Sequence, residues 1–269
     1  MDKFSVLISV YYKETPEYLD QCIESIWSHQ TLKPNEIILV QDGPLSEDLT
    51  KTIEKWSSII KDKLKIVNLP INSGLAKALN FGLEFCSNEL IARMDSDDIA
   101  LPDRFEKQVC YMTKNPDIAV SSGQIEEWDN ELINKFSLRT LPTSPSGCEK
   151  FAKSRSPINH PCSIFRKSII KSLGGYPTIY PEDYALWGTV LNNNYQISNL
   201  PEILLKMRVG NAFSERRGFE FLKGEIYLFR YFLKIGFINK RQYIKNIITR
   251  SIVRLSPKKI KLFIYRNFR

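Results

Sequence analysis

Apolar and polar positions along the first hundred residues switch between two periods. Phe4-Ser5-Val6-Leu7-Ile8-Ser9-Val10 is a short, almost continuous apolar run, as a strand buried on both faces would be. Thr15 and Pro16 then suit the N-cap and first turn of a helix whose apolar face is Leu19, Ile23, Ile26 and Trp27. A second strand at 36–40 ends in the turn signal Gln41-Asp42-Gly43-Pro44. Leu49, Ile53, Trp56 and Ile60 predict another amphipathic helix, and 65–69 a third strand. A helix from about Gly74 carries Leu75, Ala78, Leu79 and Leu83 on one side, and Leu90-Ile91-Ala92 reads as a fourth strand. Strands alternating with helices predict βαβ units and a largely parallel sheet flanked by helices.

Beyond Pro102 the pattern loosens. Phe105, Val109 and Met112 mark a helix, 118–125 a strand, and 141–147 a Pro/Ser-rich loop. Cys162-Ser163-Ile164-Phe165 is a further short strand, and Gly174-Gly175 ends the helix after it. After Gly210 the chain becomes helical, aromatic and basic. The expected organisation is a domain over 1–210, divided near residue 100, and a basic helical extension over 211–269. No repeat or low-complexity tract interrupts it.

Composition changes this picture in one respect. With 269 residues, 43% hydrophobic and 25% charged, the chain has ordinary globular material for a core. The net charge of +8 is unevenly spread: 216–269 holds fifteen Lys and Arg against Glu220 and Glu225, so the rest is acidic. Five scattered cysteines without a Cys-x-x-Cys pair argue against a disulfide framework or a cysteine zinc site and fit a reducing compartment. The N-terminus enters a strand directly, so no signal peptide is expected, and no apolar stretch reaches the roughly 18 residues of a membrane span.

The candidate chemistry is concentrated in Met94-Asp95-Ser96-Asp97-Asp98. Acids at the end of a buried strand lie where open α/β sheets bind ligands. Carboxylates this crowded repel one another unless a hard divalent cation lies between them, and such cations bridge to phosphates. A solvated acidic turn would look the same in isolation. Neither Gly-x-Gly-x-x-Gly nor Gly-x-x-x-x-Gly-Lys-Ser/Thr occurs, so nucleotide binding would rest on strand-end acids and a metal. Asp42, at the end of the second strand, suits either the imino N–H of a uracil ring or a β-turn.

Five segments then stand in a telling order: Ile8-Ser9-Val10-Tyr11, Val40-Gln41-Asp42-Gly43, Asn72-Ser73-Gly74-Leu75 with Ala78-Leu79-Asn80-Phe81-Gly82, Met94-Asp95-Ser96-Asp97-Asp98, and Pro181-Glu182-Asp183-Tyr184. Together they resemble the family 2 inverting glycosyltransferases of GT-A fold over residues 4–210. The resemblance implies that Ser9, Val10, Tyr11 and Asp42 hold the nucleobase, with Glu14 on the same wall. Asn72, Gly74 and Lys77 would line the nucleotide and diphosphate. Asp95 and Ser96 would lie near the ribose. Asp97, with Asp95 as a further candidate, would bind Mn²⁺ or Mg²⁺, and Asp183 would be the general base. Tyr12 and Gln41 depart from the Asn and Asp frequent at those places.

Asp183 follows Pro181, a typical first-turn residue, so a helix N-terminus would favour its ionised form. Glu182 would share the acceptor site or merely start the helix. His160 in Asn159-His160-Pro161 would touch acceptor or phosphate, or be structural. Arg208, Arg216 and Arg217 lie in a segment similar to exopolysaccharide and O-antigen transferases of the amylovoran type, where arginines would bind a diphosphate; a solvated basic turn is the alternative.

In the basic tail, Tyr227, Phe229, Tyr231 and Phe232, and then Phe263, Ile264 and Tyr265, alternate with Lys and Arg. That composition suits an anionic membrane surface, packing on the catalytic domain, or nucleic acid. The membrane reading leads because a lipid-linked acceptor would explain it, and no nucleic acid is expected. The resulting expectation is a peripheral enzyme on the cytoplasmic face of the bacterial inner membrane. It would move galactose or glucose from a UDP-sugar to a lipid-diphosphate-linked GlcNAc or GalNAc, or to a growing saccharide, in O-antigen or exopolysaccharide assembly. A sugar nucleotidylyltransferase, a glycoside hydrolase or a nucleic-acid-binding protein would be the alternatives.

Overall fold

The structure, a computed structural model, describes residues 2–209 and 219–256. In chain order its elements are β1 (Phe4–Val10), α1 (Pro16–Trp27), β2 (Glu36–Asp42), α2 (Glu47–Ile60), β3 (Leu64–Leu69), α3 (Leu75–Phe85), β4 (Leu90–Asp95), β5 (Ile99–Ala100), α4 (Arg104–Lys114) and β6 (Ile118–Trp128). They continue with β7 (Lys135–Arg139), α5 (Pro145–Ala152), β8 (Ile164–Arg166), α6 (Lys167–Ser172), α7 (Glu182–Asn192), β9 (Gln196–Arg208), α8 (Phe219–Lys234) and α9 (Lys240–Leu255).

The strands of the first hundred residues behave as their apolar runs require. β3, β2, β1 and β4 lie side by side and parallel. Side chains of a strand alternate between faces, so Val6, Ile8, Leu39 and Ala92 face α1, α2 and α4 on one side. Leu7, Ile38, Val40 and Ile91 face α3 and α7 on the other. Gly82 lets α3 approach the sheet, since a Cβ there would meet Val40 Cγ2 at 2.5 Å and Leu7 Cδ1 at 2.6 Å.

The second half departs from a largely parallel sheet. β8 runs antiparallel between β4 and β6, and β9 pairs parallel to β6 and antiparallel to β5. The thirteen-residue β9 has no clean period, because Pro201 and Glu202 break its apolar run, so only its partners define it. The stretch read as a loop at 141–147 already contains the start of α5, where Ser144 Oγ accepts the Gly147 N–H at 3.2 Å.

α8 and α9 close the fold. Leu228, Phe229 and Phe232 are fully buried with Tyr184 and Ala185 of α7 and Ala152 of α5. The Phe232 ring enters a notch at Gly188, where a Cβ would sit 2.2 Å from it. Tyr231 bonds Thr189 Oγ1 through its hydroxyl at 2.8 Å. The reading of these aromatics as membrane-facing is therefore corrected: Phe229 and Phe232 are core, because α7 offers them an apolar seat, and of the four only Tyr227 is largely exposed. The expected boundary at Gly210, Arg216, Arg217 and the tail residues from Lys258 onward lie outside the described residues. No helix among the described residues is long and apolar enough to cross a membrane.

Candidate active site

Four strand ends meet at one edge of the parallel sheet. In register, Ser9 stands beside Val40 and Asp95, and Asp42 beside Leu69. Asp42 is buried, and its two carboxylate oxygens accept the Ser73 N–H at 2.6 Å and the Gly74 N–H at 3.0 Å. Asn72 Nδ2 donates to the Asp42 carbonyl at 3.2 Å. Gly43 is at φ +87°, and a Cβ on it would collide with the Asn72 backbone nitrogen at 2.5 Å. The motif acid of the second strand therefore shapes the 72–74 loop through its main chain. Lys77, in the first turn of α3, is exposed beside that loop, and Tyr11 at the end of β1 stacks edge-on with Tyr12.

Across the edge, oxygens of Asp95, Asp97 and Asp98 lie within 4.8 Å of one another. Ser96 Oγ donates to the Glu14 carboxylate, which joins Glu14 to the same wall. Burial, followed by the charges of Asp95 and Glu14, pushes the Asp97 carboxyl up to about 7. Burial, then Asp97 and Asp95, likewise raises Asp98 well above the usual range. A divalent cation would relieve this repulsion, so the donor set fits a hard metal ion. Asp98 belongs to the crowded acids of the sequence, and the structure adds it to Asp95 and Asp97 as a further candidate ligand. One of its oxygens accepts the Arg208 N–H at 2.9 Å and the other has no partner among the described residues.

Two buried arginines support this edge. Arg93 pairs with the Asp95 carboxylate, while its Nε and Nη1 have no hydrogen-bond partner among the described residues. Arg104, fully buried at the start of α4, donates to the Arg93 carbonyl at 2.6 Å and so braces the strand below the acids. The signal in the sequence was an arginine inside the otherwise apolar Leu90-Ile91-Ala92-Arg93-Met94.

Arg208 is placed differently from its expected diphosphate role. Its guanidinium bonds the Asp97 carbonyl, Gln21 and the Asn130 carbonyl, and covers the Tyr18 ring at 4.3 Å. It is buried and ties the end of β9 to the acid loop, so its charge organises that loop from behind.

Asp183 and Glu182 occupy the first turn of α7, with Pro181 one position earlier than read, as the N-cap. Burial raises the Asp183 carboxyl, against the Tyr184 amide and the charges of Arg139 and Arg93. Burial and then the Asp183 charge raise Glu182. A carboxylate raised in this way, yet reached by helix N–H groups, is a stronger base than a solvated one. His160 is buried: its Nε2 lies 3.1 Å from the Tyr176 hydroxyl, and its ring meets Trp187. Burial and the Arg93 charge hold its pKa well below the usual value, so it is neutral and brings no positive charge to a phosphate.

Part of this set shares one cavity of about 810 Å³. Arg93 and Asp95, His160, and Glu182 with Asp183 line it, and it extends to cationic residues of α5 and α9. Asp95 brings the acid cluster to the space that the raised Asp183 carboxyl lines, and a cation held by that cluster, with a base opposite, would activate an anionic leaving group and deprotonate a hydroxyl.

A family model described as "Glycosyl transferase family 2" matches residues 5–174. The chain belongs to glycosyl transferase family 2. The transferase is 42% identical to the amylovoran biosynthesis glycosyltransferase AmsE of Erwinia amylovora over 99% of each chain. It is 37% identical to the UDP-Gal:alpha-D-GlcNAc-diphosphoundecaprenol beta-1,3-galactosyltransferase of Escherichia coli, covering 98% of this chain and 96% of that one. Among solved structures it resembles the mannosyltransferase PcManGT of Pyrobaculum calidifontis, in complex with GDP-Man and Mn²⁺. That match has a TM-score of 0.67 at 16% identity over 95% of the transferase and 70% of PcManGT. The transferase has the GT-A fold.

Proposed function

We propose that this transferase moves a hexose, galactose or glucose, from a UDP-sugar to GlcNAc or GalNAc on a lipid diphosphate, or to the saccharide growing from it. The observation carrying the reading is that Asp95, whose oxygens group with those of Asp97 and Asp98, lines the same cavity as Asp183. The galactosyltransferase relative, by its name, uses such a donor and acceptor.

The first hundred residues form the donor half in this reading. Ser9, Val10 and Tyr11, with Asp42 and the 72–74 loop it holds, receive the nucleobase and ribose, with Glu14 and Ser96 beside them. Asn72, Gly74 and Lys77 line the diphosphate. Asp97 and Asp95 would hold Mn²⁺ or Mg²⁺, which supplies Lewis-acid stabilisation of charge on the departing diphosphate. Residues 101–210 form the acceptor half. Asp183 takes the proton of the attacking hydroxyl, and Glu182 orients the acceptor. Arg93 fixes the Asp95 carboxylate and adds positive charge between the two carboxylate sets. One base without a positioned nucleophile implies single displacement, so an α-linked donor yields a β-glycoside.

The membrane contact belongs to α9 rather than to the buried aromatics of α8. Ile244, Ile248, Ile252 and Leu255 recur along its outer side, each more than half exposed, and Arg241 and Lys245 flank them. An apolar stripe edged by cations is how an interfacial helix lies on an anionic bilayer. The transferase would then work on the cytoplasmic face of the bacterial inner membrane, in assembly of a surface polysaccharide.

The decisive experiment incubates the protein and Mn²⁺ with a panel of UDP-sugars and alkyl-diphosphate-linked GlcNAc or GalNAc. Transfer from UDP-Gal or UDP-Glc, abolished by EDTA and giving a β anomeric coupling by NMR, is the expected result. An α product, or full activity in EDTA, would overturn the reading.

A further inference from the structure

The cavity that holds Asp183 does not end there. Its far wall is made by α5, the turn that follows it, and α9, and it is lined by Lys150, Arg155, Lys245 and Arg250. The wall is built rather than incidental. Asn246 Nδ2 donates to the Lys153 carbonyl at 2.8 Å, and Arg250 Nη2 donates to the Ser154 carbonyl at 2.5 Å, so α9 is pinned to the turn after α5. These bonds bring Arg155 and Arg250 near each other. Burial first, and then the Arg250 charge, lower the Arg155 guanidinium pKa. The Glu225 carboxylate in this wall is already taken: Arg254 binds it through two bonds of 2.8 Å, and Arg250 Nε lies 3.5 Å from it. Among the described residues no ion pair neutralises Lys150 or Lys245. The end of the cavity is therefore strongly cationic, while its other end holds Asp95, Glu182 and Asp183.

Lys150 and Lys245, without an ion pair among the described residues, would gain free energy from an anion brought between them. Asp183 and Tyr184 line the same cavity as these cations, and the Tyr184 hydroxyl donates to the Ala152 carbonyl at 2.8 Å, so the start of α7 touches the end of α5 beside the cationic wall. A group bound there belongs to the molecule whose hydroxyl reaches Asp183. In the proposed donor half the diphosphate would be met by Lys77 and by a cation held at the acid cluster, so this wall serves another anion.

We propose that Lys150, Arg155, Lys245 and Arg250 form a subsite for the phosphate ester at the reducing end of the acceptor. The acceptor sugar spans the gap, with its nucleophilic hydroxyl at Asp183 and its diphosphate against α5 and α9. This rests on the reading of Asp183 as the base of a glycosyl transfer. The subsite selects sugars already activated as phosphate or diphosphate esters over free or simple alkyl glycosides. The enzyme supplying the acceptor must accordingly be one that forms a sugar–phosphate or sugar–diphosphate linkage.

The test compares two acceptors of equal alkyl length, GlcNAc-diphosphate-alkyl and a neutral alkyl GlcNAc, with the wild type and the variant Lys150→Ala/Lys245→Ala. Both lysines are exposed, so the variant should fold. The expected result is a fall of about tenfold or more in the ratio of kcat/KM between the diphosphate and neutral acceptors, with the donor KM unchanged. Damage to the fold would lower both acceptors together and leave the ratio intact, which would overturn the proposal. Calorimetric binding of the diphosphate acceptor to both proteins separates this claim from the transfer reading. Binding weakened about tenfold in a protein that transfers to neither acceptor would uphold the anion subsite and reject the reading of the reaction. Unchanged binding would reject the subsite itself. A ratio that shifts only when anionic phospholipid vesicles are present would assign the wall to lipid headgroups and overturn the proposal as well.

Discussion

The strand-end edge and the far wall of the cavity are built in different ways. At the edge, each candidate carboxylate is held by main chain or by a buried partner a few residues from a strand end: Asp42 by the Ser73 and Gly74 amides, Asp95 by Arg93, and Asp97 through the Arg208 grip on its carbonyl. At the far wall, cations on helix surfaces converge because α8 packs its aromatics into α7 and because Asn246 and Arg250 pin α9 to the turn after α5. The edge is a property of parallel strands ending together. The wall is a property of helix packing. Substitutions at the first should remove chemistry and leave the fold, whereas substitutions behind the second should loosen a whole element.

The largest effect should come from the edge. Asp97→Ala removes a charge expected at the metal and should lower transfer by about 10³-fold or more while leaving the unfolding midpoint within a few degrees. A variant that transfers normally would place the metal elsewhere. Asp183→Asn, at the junction of the two regions, should keep donor affinity and lose about 10²–10⁴-fold in turnover. Because burial raises the Asp183 carboxyl, the acid limb of the wild-type kcat/KM profile should lie above the range of an ordinary aspartate, with activity rising as pH passes through it. A limb near the solvated value would remove Asp183 from the base role.

Phe232→Ala tests the packing side. It empties the seat at Gly188 and Tyr184 and should cost about 3–5 kcal/mol in denaturant unfolding. A cost below about 1 kcal/mol would mean that α8 is not held by this contact. The smallest effect belongs to the outer stripe of α9. Ile248→Glu with Ile252→Glu should leave unfolding nearly unchanged, since both are exposed, and should weaken sedimentation with anionic vesicles about tenfold. Wild-type binding should fall with salt, because exposed charges are screened beyond about 10 Å at 0.1 M. Equal binding by the variant would separate α9 from the bilayer.

Legibility follows the same division. β1 to β4 were readable because strands buried on two faces leave unbroken apolar runs; the places of Asp42, Asp95 and Asp97 at strand ends and of Asp183 at a helix start were readable from the turn signals beside those runs, while the roles proposed for them came from the ordered resemblance. β9 was not readable, since its period is broken and its partner β6 lies some eighty residues back in the chain. The aromatic content of α8 was visible, but its destination was not: Phe229 and Tyr227 look alike in sequence, yet one is core and the other largely exposed. Arg208 read equally as a diphosphate ligand or a solvated basic turn, and only the positions of Gln21 and Tyr18 turn its charge inward.

What the amino-acid order determined by itself was local: the parallel half of the sheet, the acid cluster at its edge, and a carboxylate at a helix start, because burial period and turn chemistry act over a few neighbouring residues. The tertiary structure alone decided which carboxylates share a cavity, which arginine became a brace, and how Lys150 and Lys245 came to face one space. Those outcomes depend on contacts between residues far apart in the chain, where helix docking, rather than local preference, sets the distances between charges.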